Sequence, residues 1–291
     1  MTTSMSTPIL VDTAWLAAHL SDANLRILDA SYFVPGGIAP ALEQYAKSHI
    51  PGAQFFNIND VADPAGKKEH AFPPAAVFAA KAGALGIGNG NHVVVYDHMG
   101  GALAAARVWF MFKAFGHEAV SVLDGGRDKW TKEGRAMNTD VPVFPAQSFT
   151  AKSAEDRVVP QADVLRLALA TDQSRQLLDA RSAGRFAGTE PEPRAGLRSG
   201  HIPHSRNLPF LSLLNTDTKT WKDPAAIKAA FDQAGIDLNQ PLVTTCGSGV
   251  SACTLALGAA LAGKTDTAIY DGSWVEWGAD AGLPLETGPA K

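Results

Sequence analysis

The chain contains the same sequence pattern twice, in the same order. Leu25-Arg26-Ile27-Leu28-Asp29-Ala30-Ser31 matches Arg175-Gln176-Leu177-Leu178-Asp179-Ala180-Arg181. Ser48-His49-Ile50-Pro51-Gly52-Ala53 matches Gly200-His201-Ile202-Pro203-His204-Ser205. Val93-Val94-Val95-Tyr96-Asp97 matches Leu242-Val243-Thr244-Thr245-Cys246, and Val122-Leu123-Asp124-Gly125-Gly126 with Trp130 matches Ile269-Tyr270-Asp271-Gly272-Ser273 with Trp277. Asp29 to Asp179 is 150 positions, His49 to His201 is 152, Asp97 to Cys246 is 149 and Asp124 to Asp271 is 147. Chance matches would not hold both order and offset. A period this long describes a duplicated domain and not a solenoid. Within each copy, short strand-like runs such as Leu177–Leu178, Leu242–Thr245 and Thr267–Tyr270 alternate with helical patterns such as Ala225–Ala234 and Ala252–Ala262. That alternation predicts an α/β fold, two tandem domains each with a parallel sheet flanked by helices. The expected boundaries are residues 8–140 for the first domain and 161–288 for the second. Residues 141–160, with Pro142, Pro145 and Pro160 among polar residues, read as a partly extended linker.

The duplication isolates one difference that carries chemistry. Leu242–Thr245 is an apolar, β-branched run, and Cys246-Gly247-Ser248-Gly249-Val250-Ser251-Ala252 follows it and opens a run of Ala and Leu. A cysteine is therefore expected at the carboxyl end of a strand, in a glycine-rich turn, at the mouth of a buried helix. Ligands and nucleophiles of parallel sheets sit at that place. Inward-pointing N–H groups of such a turn form an anion-binding nest, and the helix dipole adds positive potential. Both favour thiolate over thiol. Free cysteines are more often small buried hydrophobes, and Cys253, inside the following helix, is read that way. Cys246 is not, because a core residue has no use for an open glycine loop. The first copy carries Asp97 at the matching position. Aspartate cannot do thiolate chemistry, and the bulk of His98 and Met99 is expected to spoil a nest there. The first domain is expected to be catalytically silent and to wall the active-site cleft.

The remaining composition narrows the setting. Formal net charge is −4 over 291 residues, which gives no electrostatic reason to bind nucleic acid or an anionic membrane. Met1 to Pro8 is polar and lacks the charged start and apolar centre of a signal peptide. Two cysteines do not make a disulfide framework, which suits a cytoplasmic location, and they cannot by themselves make a zinc site.

The tandem layout, the two Asp-Ala strand ends and the two His-Ile-Pro elements resemble the two-domain rhodanese sulfurtransferases, over about Val11 to Leu285. The loop Cys246–Ala252 is similar to that of the 3-mercaptopyruvate branch of the family, which reads Cys-Gly-Ser-Gly-Val-Thr-Ala; here Ser251 replaces the threonine and keeps the hydroxyl. Thiosulfate-using members usually carry Arg-Lys at the positions of Gly247 and Ser248. The run Gly184-Arg185-Phe186 with Glu190-Pro191-Glu192-Pro193-Arg194 also resembles the mercaptopyruvate branch. The resemblance implies that Cys246 is the nucleophile and that Arg185 and Arg194 bind the carboxylate and keto group of 3-mercaptopyruvate. It implies that the loop N–H groups of Gly247, Ser248, Gly249, Val250 and Ser251 stabilise a persulfide. It further implies a Ser–His–acid arrangement, with Ser248 and His70 in the first two places. The matching acid position is Asn59, which supplies no charge; Asp60 and Asp63 lie close by. The implied partners are 3-mercaptopyruvate and an acceptor, a thiol such as thioredoxin or else cyanide. No metal or organic cofactor is implied.

Other readings of the same residues compete. A thiosulfate sulfurtransferase is the nearest alternative, and a non-enzymatic rhodanese-like binding or redox-sensor module the next. A phosphatase on this fold needs an arginine closing a Cys-x5-Arg cradle, and the sixth residue after Cys246 is Ala252. Gly247-x-Gly249-x-x-Ala252 satisfies a dinucleotide fingerprint, with Asp266 and Asp271 near the acid position, but that reading leaves Cys246, Arg185 and the duplication without a role.

Overall fold

Each half of the chain folds around a short parallel sheet with a central strand, HVVVY in one half and LVTT in the other, that is buried over all or nearly all of its length. The structure, a computed structural model, describes residues 7–33, 38–171 and 174–290; Met1–Ser6, most of the polar start, lies outside the described residues. It divides into unit 1, Met1–Ser153 with Thr216–Trp221, and unit 2, Ala154–Asn215 with Lys222–Lys291.

Unit 1 runs β1 (Leu10–Val11), α1 (Thr13–His19), β2 (Leu25–Asp29), α2 (Ile38–Lys47), β3 (Ala53–Phe55), α3 (Ala75–Ala84), β4 (His92–Tyr96), α4 (Ala104–Ala114), β5 (Val120–Leu123) and α5 (Gly126–Lys132). Unit 2 runs α6 (Gln161–Ala168), β6 (Gln176–Asp179), α7 (Ala183–Ala187), β7 (Arg206–Asn207), a 3-10 turn at Phe210–Leu213, α8 (Pro224–Gln233), β8 (Leu242–Thr245), α9 (Val250–Leu261), β9 (Ala268–Ile269) and α10 (Ser273–Trp277). The sheet orders are β1-β5-β4-β2-β3 and β7-β6-β8-β9, with every pairing parallel. A single parallel bridge from Val158 to Ile269 stands where β1 pairs β5 in unit 1. The two units therefore repeat one topology, as the duplicated sequence requires.

The helices that follow the central strands explain the layering. α4 (AAARVWFMFKA) and α9 (VSACTLALGAAL) are apolar on nearly all sides, and each is buried over most of its length. A helix with no polar face has to be buried. β3 lies on one side of β2 and β4 on the other, and β7 and β8 flank β6 in the same way. Connections thus leave β6 and β8 in opposite directions, which opens a crevice beyond their carboxyl ends. Cys246 follows β8 and Arg181 lies just past β6.

The repeated histidines are structural. His49 is stacked on Tyr45 at 4.0 Å and its Nδ1 meets the Tyr45 carbonyl at 2.8 Å. His201 is stacked on Phe186 at 3.8 Å and its Nδ1 meets the Phe186 carbonyl at 2.9 Å. Each ring pins the helix before it to the sheet. The segment read as a linker is partly strapped to unit 1. Gln147 N–H donates to the Gly83 carbonyl and Lys152 N–H to the Phe115 carbonyl, both at 2.9 Å, and Phe149 is buried against Phe78, Phe112 and His117.

Burial lowers the pKa of His117 and of His201 below the ordinary value of 6.5. Below that pH the unfolded chain binds more protons at these sites than the folded one, so their contribution to stability is complete above about pH 6.5 and is lost as pH falls further. Thermal unfolding followed by circular dichroism should show Tm falling between pH 7 and pH 5. A His201→Gln variant, compared with its own Tm at pH 7, should fall less steeply.

Candidate active site

Cys246 Sγ is buried and accepts a hydrogen bond from the Gly249 N–H at 3.1 Å. Gly249 makes this possible because it caps α9 in the left-handed conformation, φ 88°, which glycine adopts without steric cost. The loop is held from its other side by α10. Trp274 N–H donates to the Cys246 carbonyl and Val275 N–H to the Gly247 carbonyl, each at 2.9 Å. Of the five loop residues expected to face the sulfur, Gly249 supplies the N–H that reaches Sγ. Ser248 is half-buried on the same loop. Cys253, one turn into α9, donates its thiol to the Gly249 carbonyl at 3.4 Å and is fully buried, as a structural cysteine should be.

Ser273 is a part of this site that the sequence reading passed over. Its hydroxyl accepts from the Cys246 N–H at 3.2 Å, donates to the Tyr270 carbonyl at 2.9 Å and lies 4.0 Å from Sγ. Its backbone is left-handed, φ 52°, an uncommon state for a residue with a Cβ, and such strain clusters at functional sites. The repeat held the signal. The matching residue in unit 1 is Gly126, also left-handed at φ 56°, where a Cβ would lie 2.3 Å from the Asp97 carbonyl oxygen.

Arg185 reaches the cysteine loop. Arg185 lies on α7, whose first turn is capped by Ser182 Oγ accepting the Arg185 N–H at 3.3 Å. Its guanidinium lies across Gly247, where an added Cβ would sit 2.9 Å from Nη2. Arg194 is exposed, and among the described residues its side chain makes no ion pair. His70, in unit 1, is buried and left-handed at φ 44°; its Nδ1 faces Asn59 Oδ1 at 3.2 Å, and its carbonyl accepts from Arg107 Nη2 at 2.6 Å. Asp63, one of the two nearby acids, accepts from the Ala65 N–H at 2.9 Å.

A separate cavity of about 380 Å³ is lined by Arg175, His204 and Arg206 at the amino ends of β6 and β7, away from the sulfur. Among the described residues no group of His, Cys, Asp and Glu is placed to hold a metal ion, and no helix is long and apolar enough to cross a membrane.

The Rhodanese-like domain family matches residues 12–133 and 161–280, once in each half. The chain belongs to the rhodanese family. A 3-mercaptopyruvate sulfurtransferase of Mus musculus is 43% identical over 274 residues, covering 92% of this chain and 91% of that protein. A thiosulfate sulfurtransferase of Cricetulus griseus is 44% identical over the same shares. The crystal structure of SseA from Escherichia coli, described as a 3-mercaptopyruvate sulfotransferase of rhodanese fold, superposes with a TM-score of 0.81 at 32% identity, covering 92% of this chain and 99% of that one.

In the first rhodanese unit the expectation of a spoiled nest is corrected. The Asp97 carboxylate accepts four backbone N–H groups, from Met99 and Gly101 of the loop after β4 at 2.8 Å and from Leu103 and Ala105 at the start of α4 at 3.0 Å. The bulk of His98 and Met99 does not prevent this, because both Gly100 and Gly101 take positive φ and turn the backbone inward around the side chain. The cradle exists and the chain's own carboxylate fills it. Asp97→Gly leaves those buried donors without an acceptor and should cost at least about 3 kcal/mol of stability. Added formate should then raise the Tm of Asp97→Gly saturably and leave wild type unmoved. Equal Tm shifts in both proteins would show that the cradle does not bind a free carboxylate.

Proposed function

We propose that the protein takes sulfur from 3-mercaptopyruvate onto Cys246 and passes it to a thiol or to cyanide, releasing pyruvate. It is an enzyme of sulfur transfer, as its curated relatives are. Those relatives carry both donor names at near-equal identity, so overall similarity does not choose the donor. The local chemistry supports mercaptopyruvate. Gly247 and Ser248 give the loop no charge of its own, and Arg185 lies over Gly247 beside the sulfur. Thiosulfate is a compact dianion that gains most from cations on the loop itself. Mercaptopyruvate carries its carboxylate and keto oxygen some distance from its sulfur, where a guanidinium fork can grip them.

In this mechanism the Cys246 thiolate attacks the donor sulfur and the donor carbon–sulfur bond breaks. Pyruvate leaves as an enolate and takes a proton from Ser248, with His70 or water behind it. Arg185 and Arg194 hold the keto acid. Cys246 is left as a persulfide whose charge the N–H groups from Gly247 to Ser251 stabilise; the Gly249 N–H already on Sγ supports that part. An acceptor thiolate, from a dithiol protein such as thioredoxin, then attacks the outer sulfur and restores the Cys246 thiolate. Two half-reactions through a covalent enzyme give ping-pong kinetics. A nucleophile that must return as a free thiol suits a reducing compartment such as the cytosol.

Cys246→Ser should abolish transfer, and Cys253→Ser should keep most of it. Intact mass after donor treatment should rise by about 32 Da, one sulfur, in wild type and in Cys253→Ser. An adduct mapped to Cys253 would overturn the assignment of the nucleophile.

Donor choice is tested by rates measured side by side. Wild type should prefer 3-mercaptopyruvate strongly. Arg185→Ala should lower kcat/KM for it by roughly 10- to 150-fold, the worth of one charge-assisted pair, with less effect on thiosulfate. Gly247→Arg with Ser248→Lys should move preference toward thiosulfate, because the new side chain must also push Arg185 aside. Equal use of both donors by wild type would make the protein a thiosulfate sulfurtransferase instead.

A further inference from the structure

Four side chains of alternating charge run from the end of β6 to the cysteine loop. Asp179 accepts Arg181 Nε at 2.9 Å and Nη2 at 2.7 Å. Arg181 Nη1 donates to Glu192 Oε1 at 2.8 Å. Glu192 Oε2 accepts Arg185 Nη2 at 2.7 Å, and its Oε1 accepts Arg185 Nε at 3.2 Å. The first three side chains are at most 2% exposed and Arg185 is 24% exposed.

Arg181 has no freedom to serve a substrate. Besides the two carboxylates it donates to the Gly200 carbonyl at 2.8 Å and lies on the Trp274 ring at 4.3 Å. What it can do is fix Glu192. Glu192 in turn takes one edge of the Arg185 fork, Nε with Nη2. The edge left over is Nη1 with the second hydrogen of Nη2, at the end that lies across Gly247. A planar guanidinium presents five N–H groups in a rigid fork, so occupying one edge decides which other edge is offered.

We propose that Glu192 is a positioning residue that turns the end-on edge of Arg185 toward the donor's carboxylate. This rests on the reading that Arg185 binds that carboxylate. Glu192 acts through Arg185 and touches no reacting atom.

The test is a double-mutant cycle read by kcat/KM for 3-mercaptopyruvate, with Tm measured alongside. Glu192→Gln leaves one acceptor oxygen for two arginines. It should lower kcat/KM by about tenfold or more, chiefly through KM. In an Arg185→Ala background the same substitution should change kcat/KM by less than about twofold, while its effect on Tm persists. A purely structural role would lower both quantities equally in either background. Where Glu192→Gln does not fold, Arg185→Lys takes its place. Lysine keeps the charge but offers no edge to grip, so it should lose nearly as much activity as Arg185→Ala. A kcat/KM loss that persists without Arg185, no loss at all, or near-normal turnover by Arg185→Lys would overturn the proposal. A wild type that takes no sulfur from mercaptopyruvate would overturn the donor reading, and this proposal with it.

Discussion

A helix apolar on every side has to be buried, and its first N–H groups are then buried with it. Those donors have no partner within the helix, and leaving each one unsatisfied costs about 1–3 kcal/mol. Both α4 and α9 come close to this, apolar on nearly all sides and buried over most of their length. The loop before each must therefore bring an acceptor inward, and the residue that ends the central strand is the one in position to supply it. Unit 1 answers with a carboxylate, which collects the Leu103 and Ala105 N–H groups at the helix start together with those of Met99 and Gly101 in the loop. Unit 2 answers with a sulfur, which takes the Gly249 N–H. Anion binding at this place follows from the packing of the fold; chemistry follows only from which side chain is put there.

The same view explains what could be read in the sequence. The duplication fixed the topology twice over, because parallel strands with crossover helices leave few arrangements for a repeated β–α pattern. The cysteine loop was legible because its glycines, strand and helix are contiguous. The cradle around Asp97 was misread because side-chain bulk was weighed without the positive φ of Gly100 and Gly101, which carries the turn. Ser273 was passed over because its role depends on α10 packing back on the loop, a contact between residues 27 positions apart. Glu192 was visible only as part of a motif. Glu190 and Glu192 stand among Arg181, Arg185 and Arg194, and sequence alone does not say which acid meets which arginine. The strap at residues 141–153 and the packing of Thr216–Trp221 into unit 1 depend on partners such as Gly83, Phe115 and Asp124 that lie far along the chain.

Buried charge is costly unless each group has a partner, and removing one member of a buried pair costs about 3–5 kcal/mol. Burial works against the charge on Arg181, and Asp179 with Glu192 outweighs it, so its pKa is held above the ordinary arginine value. The chain of four charges ends at Arg185 with no excess of either sign. A site built this way does not attract a substrate by net charge. It selects by direction, since the hydrogens of Arg185 are aimed and their positive potential is local. That distinction bears on the donor. A compact dianion responds mainly to the sum of nearby charge, and these four charges add nothing to it. A keto acid whose carboxylate stands off from its sulfur responds to where a fork points, and the fork is held beside the nucleophile by a partner that is itself anchored in the core. The neutral residues at 247 and 248 belong to the same design: glycine leaves the room in which Arg185 lies, and a larger residue there would exchange a directed contact for an undirected charge.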